Sequence, residues 1–85
     1  MGELKPIKIK VFYDSNLEKI TGKKEEPAII SEGMNFAFFL STIFSSYPTI
    51  QEKYPPGTFG FLSNNKKPNG FEILSEGDEI IFKTL

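Results

Sequence analysis

The chain has 85 residues, which is room for one small domain over 1–85 and no second one. It is 39% hydrophobic and 25% charged with a formal net charge of −1, an ordinary soluble globular composition. All ten basic residues are lysine, and Arg, His, Cys and Trp are absent. That excludes thiolate and imidazole metal sites, disulfides, cysteine nucleophiles and Ser–His pairs, and it argues against groove reading of nucleic acid. With no disulfide or metal to help, a domain this small needs a dense core. Nine Phe and three Tyr are the material for it, since each buried ring removes roughly 150–250 Å² from water.

The N-terminus lacks the apolar stretch of a signal peptide. The most apolar run, Phe36 to Phe44, is far short of the roughly 20 residues that span a bilayer. A cytoplasmic location without a membrane partner is therefore expected.

Ile7 to Tyr13 alternates with period two and reads as a strand, with Ile7, Ile9 and Val11 inward and Lys8, Lys10 and Phe12 outward. In the polar stretch from Asp14 to Glu26, Leu17 and Ile20 are the only apolar anchors, which suits one helical turn under the sheet. Lys23-Lys24-Glu25-Glu26 and Lys66-Lys67 read as solvated loop clusters. Pro27 to Ser31 is a second, short strand, placed at an edge because Pro27 cannot donate to a ladder. Asn35 is the expected N-cap of a helix whose buried face is Phe36, Phe39, Leu40, Ile43, Phe44 and Tyr47. Phe38 falls on the opposite face with Ser41, Thr42 and Ser45. It is expected to dock under the Pro55-Pro56 loop, or else to be an exposed contact residue. Pro48 ends the helix, and Ile50 to Tyr54 suits a short second turn. Phe59 to Leu62 is a third strand, with the bulky Phe59 and Phe61 inward and Leu62 outward. A shift of one residue reverses both. Phe71 to Leu74 reads as a short strand or bridge, Ser75 to Asp78 as a tight turn, and Glu79 to Leu85 as a last strand with Ile80 and Phe82 inward. The class is α+β, with one main helix packed on one face of a mixed sheet of four to five strands.

This order resembles the β-grasp, or ubiquitin-like, fold. Leu17-Glu18-Lys19-Ile20-Thr21-Gly22, Tyr47-Pro48-Thr49-Ile50 and Leu74-Ser75-Glu76-Gly77-Asp78-Glu79-Ile80 resemble segments of the MoaD/ThiS sulfur-carrier family across nearly the whole chain. In such carriers the working part is a flexible tail ending in Gly-Gly, whose carboxylate is adenylated and then converted to a thiocarboxylate. Here Ile80-Ile81-Phe82 is followed only by Lys83-Thr84-Leu85. No residue inherits the carrier chemistry, and a relative that kept the scaffold without the activatable terminus is expected, unless the chain is cut short. The Gly77-Asp78 turn is read as structural, because glycine tolerates positive φ and aspartate bonds neighbouring amides.

The resemblance implies that the first and last strands are adjacent at the sheet centre. Phe12 and Ile81 then lie side by side on the face away from the helix, with Leu62 nearby and Lys8, Lys10 and Lys83 as flanking charges. An apolar group rimmed by lysines is the usual look of a protein-binding face. No catalytic residue, metal or cofactor is expected: the eleven carboxylates have no cleft to tune them, and Gly57-Thr58-Phe59-Gly60 lacks the lysine and spacing of a phosphate loop.

The expected function is a non-conjugating protein-interaction module or small subunit. Its expected partner is a protein, an adenylating-enzyme-like chain or a larger enzyme subunit. The alternative is a sulfur carrier, or small subunit of molybdopterin or thiamine biosynthesis, whose C-terminus is missing or processed. RNA contact through Phe12 and three lysines has only a weak electrostatic term. A homo-oligomer is open, through the same patch or by strand addition near Pro27.

Overall fold

The computed structural model describes residues 5–55, 57–64 and 66–85. Four strands, β1 (Pro6–Tyr13), β2 (Glu25–Ser31), β3 (Phe59–Ser63) and β4 (Glu79–Thr84), form one mixed sheet in the order β2-β1-β4-β3. β1 and β4 run parallel at its centre, and the outer pairs are antiparallel. The main helix α2 (Phe36–Ser46) packs on one face, with short helices α1 (Ser15–Thr21) and α3 (Thr49–Lys53) beside it. This is the mixed α+β β-grasp plan.

Alternation sets the inward face. Ile7, Ile9, Val11 and Tyr13 of β1 and Ile80 and Phe82 of β4 are buried against α2, as are Phe36, Phe39 and Ile43 of the helix itself. The aromatic residues concentrate around Phe82. Its ring centroid lies 4.1 Å from that of Phe61, its cross-strand partner, and 5.4 Å from that of Phe59. Leu17 of α1 and Ile50 of α3 are wholly buried and belong to the same core.

Local chemistry fixes the helix starts. Asp14 caps α1 by accepting the Leu17 N–H at 2.9 Å, and Gly22 closes that helix in the left-handed region with φ +77°. Asn35 caps α2, its Oδ1 accepting the Phe38 N–H at 2.8 Å. Asn35→Ala is therefore expected to lower stability by about 1 kcal/mol, measured by urea denaturation.

Two expectations change, the start of the second strand and the end of the last, and two open alternatives are settled, at Phe71–Leu74 and at Phe38. The second strand begins at Glu25, because the Tyr13 N–H donates to the Lys24 carbonyl and the ladder runs two residues further than the apolar signal. Glu25 and Glu26 are therefore strand residues, not part of a solvated loop. Phe71–Leu74 makes only an isolated bridge, Ile73 opposite Asn35, so the sheet has four strands. β4 ends at Thr84, although the Leu85 N–H still donates to the Thr58 carbonyl at 2.9 Å. Phe38 is 60% exposed and lines a hollow with the Ser31–Asn35 turn instead of docking under the proline loop. Helical phase carries its ring away from the core, and Pro56 lies outside the described residues.

Candidate functional site

The sheet face opposite α2 holds the residues singled out from the sequence. Phe12 of β1 is the register partner of Ile81 of β4, and Ile81 is also the register partner of Leu62 of β3. The three side chains thus stand in one row across three adjacent strands, each half-buried. Phe59 and Phe61 face the core, so Leu62 points outward.

The flanking charges are less uniform than three lysines. The Lys10 Nζ sits 5.8 Å from the Phe12 ring centroid and 3.5 Å from the Glu25 carboxylate, where Glu25 is Phe12's partner on β2. Lys83 is exposed two residues beyond Ile81, opposite Gly60. Lys8 lies four residues from Phe12 along β1, roughly 13 Å away, and stands beside Ile29 instead. Glu25 and Glu79 share this face, so three lysines meet two carboxylates and the field is mixed. Such a surface has little of the counterion-release term that phosphate binding needs.

Two apolar neighbours escaped the sequence reading. Ile29, 66% exposed, extends the face at the β2 edge. Its signal was available: with Ile30 buried, alternation puts Ile29 outward. Leu85 is 80% exposed and lies over Gly60, its Cδ2 3.7 Å from where a Cβ there would stand, an ordinary van der Waals contact.

Two polar clusters brace the sheet. Glu26 accepts hydrogen bonds from the Tyr13 hydroxyl at 2.5 Å and the Tyr47 hydroxyl at 2.8 Å, with the Lys23 Nζ at 3.5 Å. Burial pushes the Glu26 carboxyl upward, but the two tyrosine bonds and Lys23 outweigh it and hold its pKa below the usual carboxylate range. Burial and the bond to Glu26 raise both tyrosines, Tyr13 strongly. Asp14 joins α1 to β4, its Oδ2 accepting the Thr84 N–H and hydroxyl, both at 2.7 Å. Burial again acts upward there, and the Thr84 and Leu17 bonds bring the net shift below the ordinary aspartate value. These clusters join elements of the fold. Among the described residues no group of three acidic side chains is placed to hold a metal ion, and no helix is long and apolar enough to cross a membrane.

No protein-family model and no curated protein matches this sequence. Solved structures do. A Pyrococcus furiosus protein assigned as molybdopterin converting factor, subunit 1, superposes with a TM-score of 0.83 at 19% identity, covering 92% of this chain and 97% of that one. Small archaeal modifier protein 1 from Haloferax volcanii gives 0.77 at 12% identity, over 91% of this chain and 95% of its own. The protein of that name from Methanosarcina acetivorans gives 0.73 at 22%, over 94% of each. The chain therefore has the ubiquitin-like β-grasp fold that molybdopterin converting factor subunit 1 and the small archaeal modifiers share.

Proposed function

We propose that this ubiquitin-fold protein is an interaction module that docks a partner protein on its open sheet face and acts by binding, not by catalysis or conjugation. The supporting observation is the row of Phe12, Ile81 and Leu62 in cross-strand register, on the face α2 leaves uncovered. Three apolar side chains on rigid neighbouring strands form a preorganised contact that loses little entropy on binding. Lys10 and Lys83 at its margin supply the polar rim of such an interface.

The test is affinity capture from the protein's own cells, comparing the wild type with Phe12→Asp/Ile81→Asp. Both positions are only half-buried, so the double variant should fold, and near-identical far-UV circular dichroism will check that. The variant is expected to lose the captured partner by at least tenfold. Equal capture by a folded double variant removes the reading.

A second reading follows from the fold neighbours, a converting-factor subunit and two modifiers. On that reading the protein is a sulfur carrier or modifier that an adenylating enzyme activates. Intact-mass measurement on protein from its own cells separates the two. A thiocarboxylate or a covalent conjugate supports the carrier, and an unmodified mass with partner capture supports the docking module.

A further inference from the structure

The β2 edge has a hydrogen-bonding pattern that fits its own copy. In the β1–β2 ladder the Tyr13 N–H donates to the Lys24 carbonyl and the Glu32 N–H donates to the Lys5 carbonyl. With the observed register, the even-numbered residues of β2 bond to β1, and the backbone groups of Pro27, Ile29 and Ser31 point away from the sheet. Pro27 has no N–H to offer there. The Ser31 carbonyl already accepts the Met34 N–H at 3.2 Å. What remains outward over this stretch is the Pro27 carbonyl, the Ile29 N–H and carbonyl, and the Ser31 N–H.

That set is self-complementary. We infer that β2 pairs antiparallel with β2 of a second copy of this chain, about a two-fold axis at Ile29, giving a continuous eight-stranded sheet. The two Ile29 residues exchange both of their backbone bonds. Each Ser31 N–H donates to the Pro27 carbonyl opposite. The donor missing at Pro27 faces the Ser31 carbonyl, which is already bonded within its own chain. An unrelated extended peptide would place a free carbonyl opposite Pro27 and leave it without that partner. The proline that blunts this edge toward other strands therefore costs a second copy nothing.

The side chains agree. Ile29, 66% exposed, would meet its counterpart across the axis. On the other face a groove of about 300 Å³ runs between β2 and α2, with Ala28, Ile30, Met34 and Ile43 in its lining. The pairing brings the two α2 helices to the same side of the sheet, and α2 carries no charged residue, so no like charges oppose there. Glu32 of each copy would face Glu26 of the other, a like-charge pair that weakens the association and that Lys23, already beside Glu26, offsets in part.

The assembly has a consequence for binding. Both rows of Phe12, Ile81 and Leu62 would lie on one continuous face. From the axis to β4 is two and a half strand spacings, and Ile81 lies level with Glu25, four residues along the strand from Ile29, so the two Ile81 residues would stand roughly 35 Å apart. A partner with two docking sites would gain from bivalency.

Sedimentation equilibrium between about 5 µM and 1 mM tests the pairing, since a strand-edge interface is small and gives weak association. The wild type is expected to move from monomer toward dimer across that range. In the dimer the Ile29 and Ser31 amides should become at least tenfold slower in hydrogen exchange. Ile29→Pro removes the central donor without touching the β1–β2 ladder. Ile29→Lys keeps the donor but sets two charges together at the axis, at an exposed position that should not disturb folding. Both are expected to stay monomeric. Phe12→Asp/Ile81→Asp should still dimerise, which separates this contact from the open-face site. A wild type that is monomeric at 1 mM, a dimer that survives Ile29→Lys, or unchanged exchange at Ile29 and Ser31 would each overturn the inference.

Discussion

Phe82→Ala is expected to lower unfolding stability by about 3–5 kcal/mol, the usual cost of truncating a buried aromatic. A domain of this length has roughly 4–13 kcal/mol in total, at 0.05–0.15 kcal/mol per residue, so the loss is at least about a quarter of the whole. The size of the effect follows from what the ring touches. Phe82 is fully buried on a central strand and packs near Tyr13, Phe44, Phe59 and Phe61. Those neighbours come from both flanking strands, β1 and β3, and the main helix, so no single element can shift to close the hole. Urea denaturation followed by circular dichroism measures the loss. Phe82→Leu keeps much of the volume and should cost about half as much. A loss below about 1 kcal/mol for the alanine variant would mean that the aromatic cluster is not the centre of the core.

That centre was legible in the sequence, because strands and helix carry clean periods. Ile7-Lys8-Ile9-Lys10-Val11 admits one inward face, and so does the 36, 39, 43 spacing in the helix. The row of Phe12, Ile81 and Leu62 needed one more step. Alternation gives each side chain a face, but only the strand order brings the three together, and that order came from resemblance to a known fold. Polar residues were harder. Glu26 looks like one more loop charge, and nothing nearby in sequence says that Tyr13 and Tyr47 converge on it from 13 and 21 residues away. Phe38 shows the reverse limit: a large apolar side chain predicts burial on average, yet helical phase left this one facing solvent. The edge pattern of β2 was out of reach altogether. It depends on which backbone groups face outward, a matter of ladder phase that side-chain patterning does not encode.

The second large effect is loss of stability in acid. Asp14 and Glu26 both hold their protons less tightly in the folded state than in the unfolded chain. The unfolded state then binds more protons at low pH, so stability falls as pH falls. The contribution is complete above the ordinary carboxylate range, about pH 4 to 5, and is lost as pH drops through that range toward the depressed folded values. The tyrosines give the opposite limb. Their raised values mean that their contribution is intact below about pH 10 and declines above it. A stability plateau between roughly pH 5 and 10 is expected, with a descent on either side. Variants assign the acid limb. Glu26→Ala leaves the buried Tyr13 hydroxyl without its acceptor and should cost about 2–3 kcal/mol at pH 7. Asp14→Ala removes the α1 cap and the tie to Thr84, for about 2 kcal/mol. Asp14→Asn keeps one acceptor for Leu17 but turns an amide toward the Thr84 N–H, so it should recover only part of that loss. Each variant should also flatten the descent below pH 5, because the group that titrates is gone. Urea midpoints at pH 3, 4, 5 and 7 make the comparison. If either alanine variant loses stability in acid as steeply as the wild type, that carboxylate is not the one whose protonation unlocks the fold.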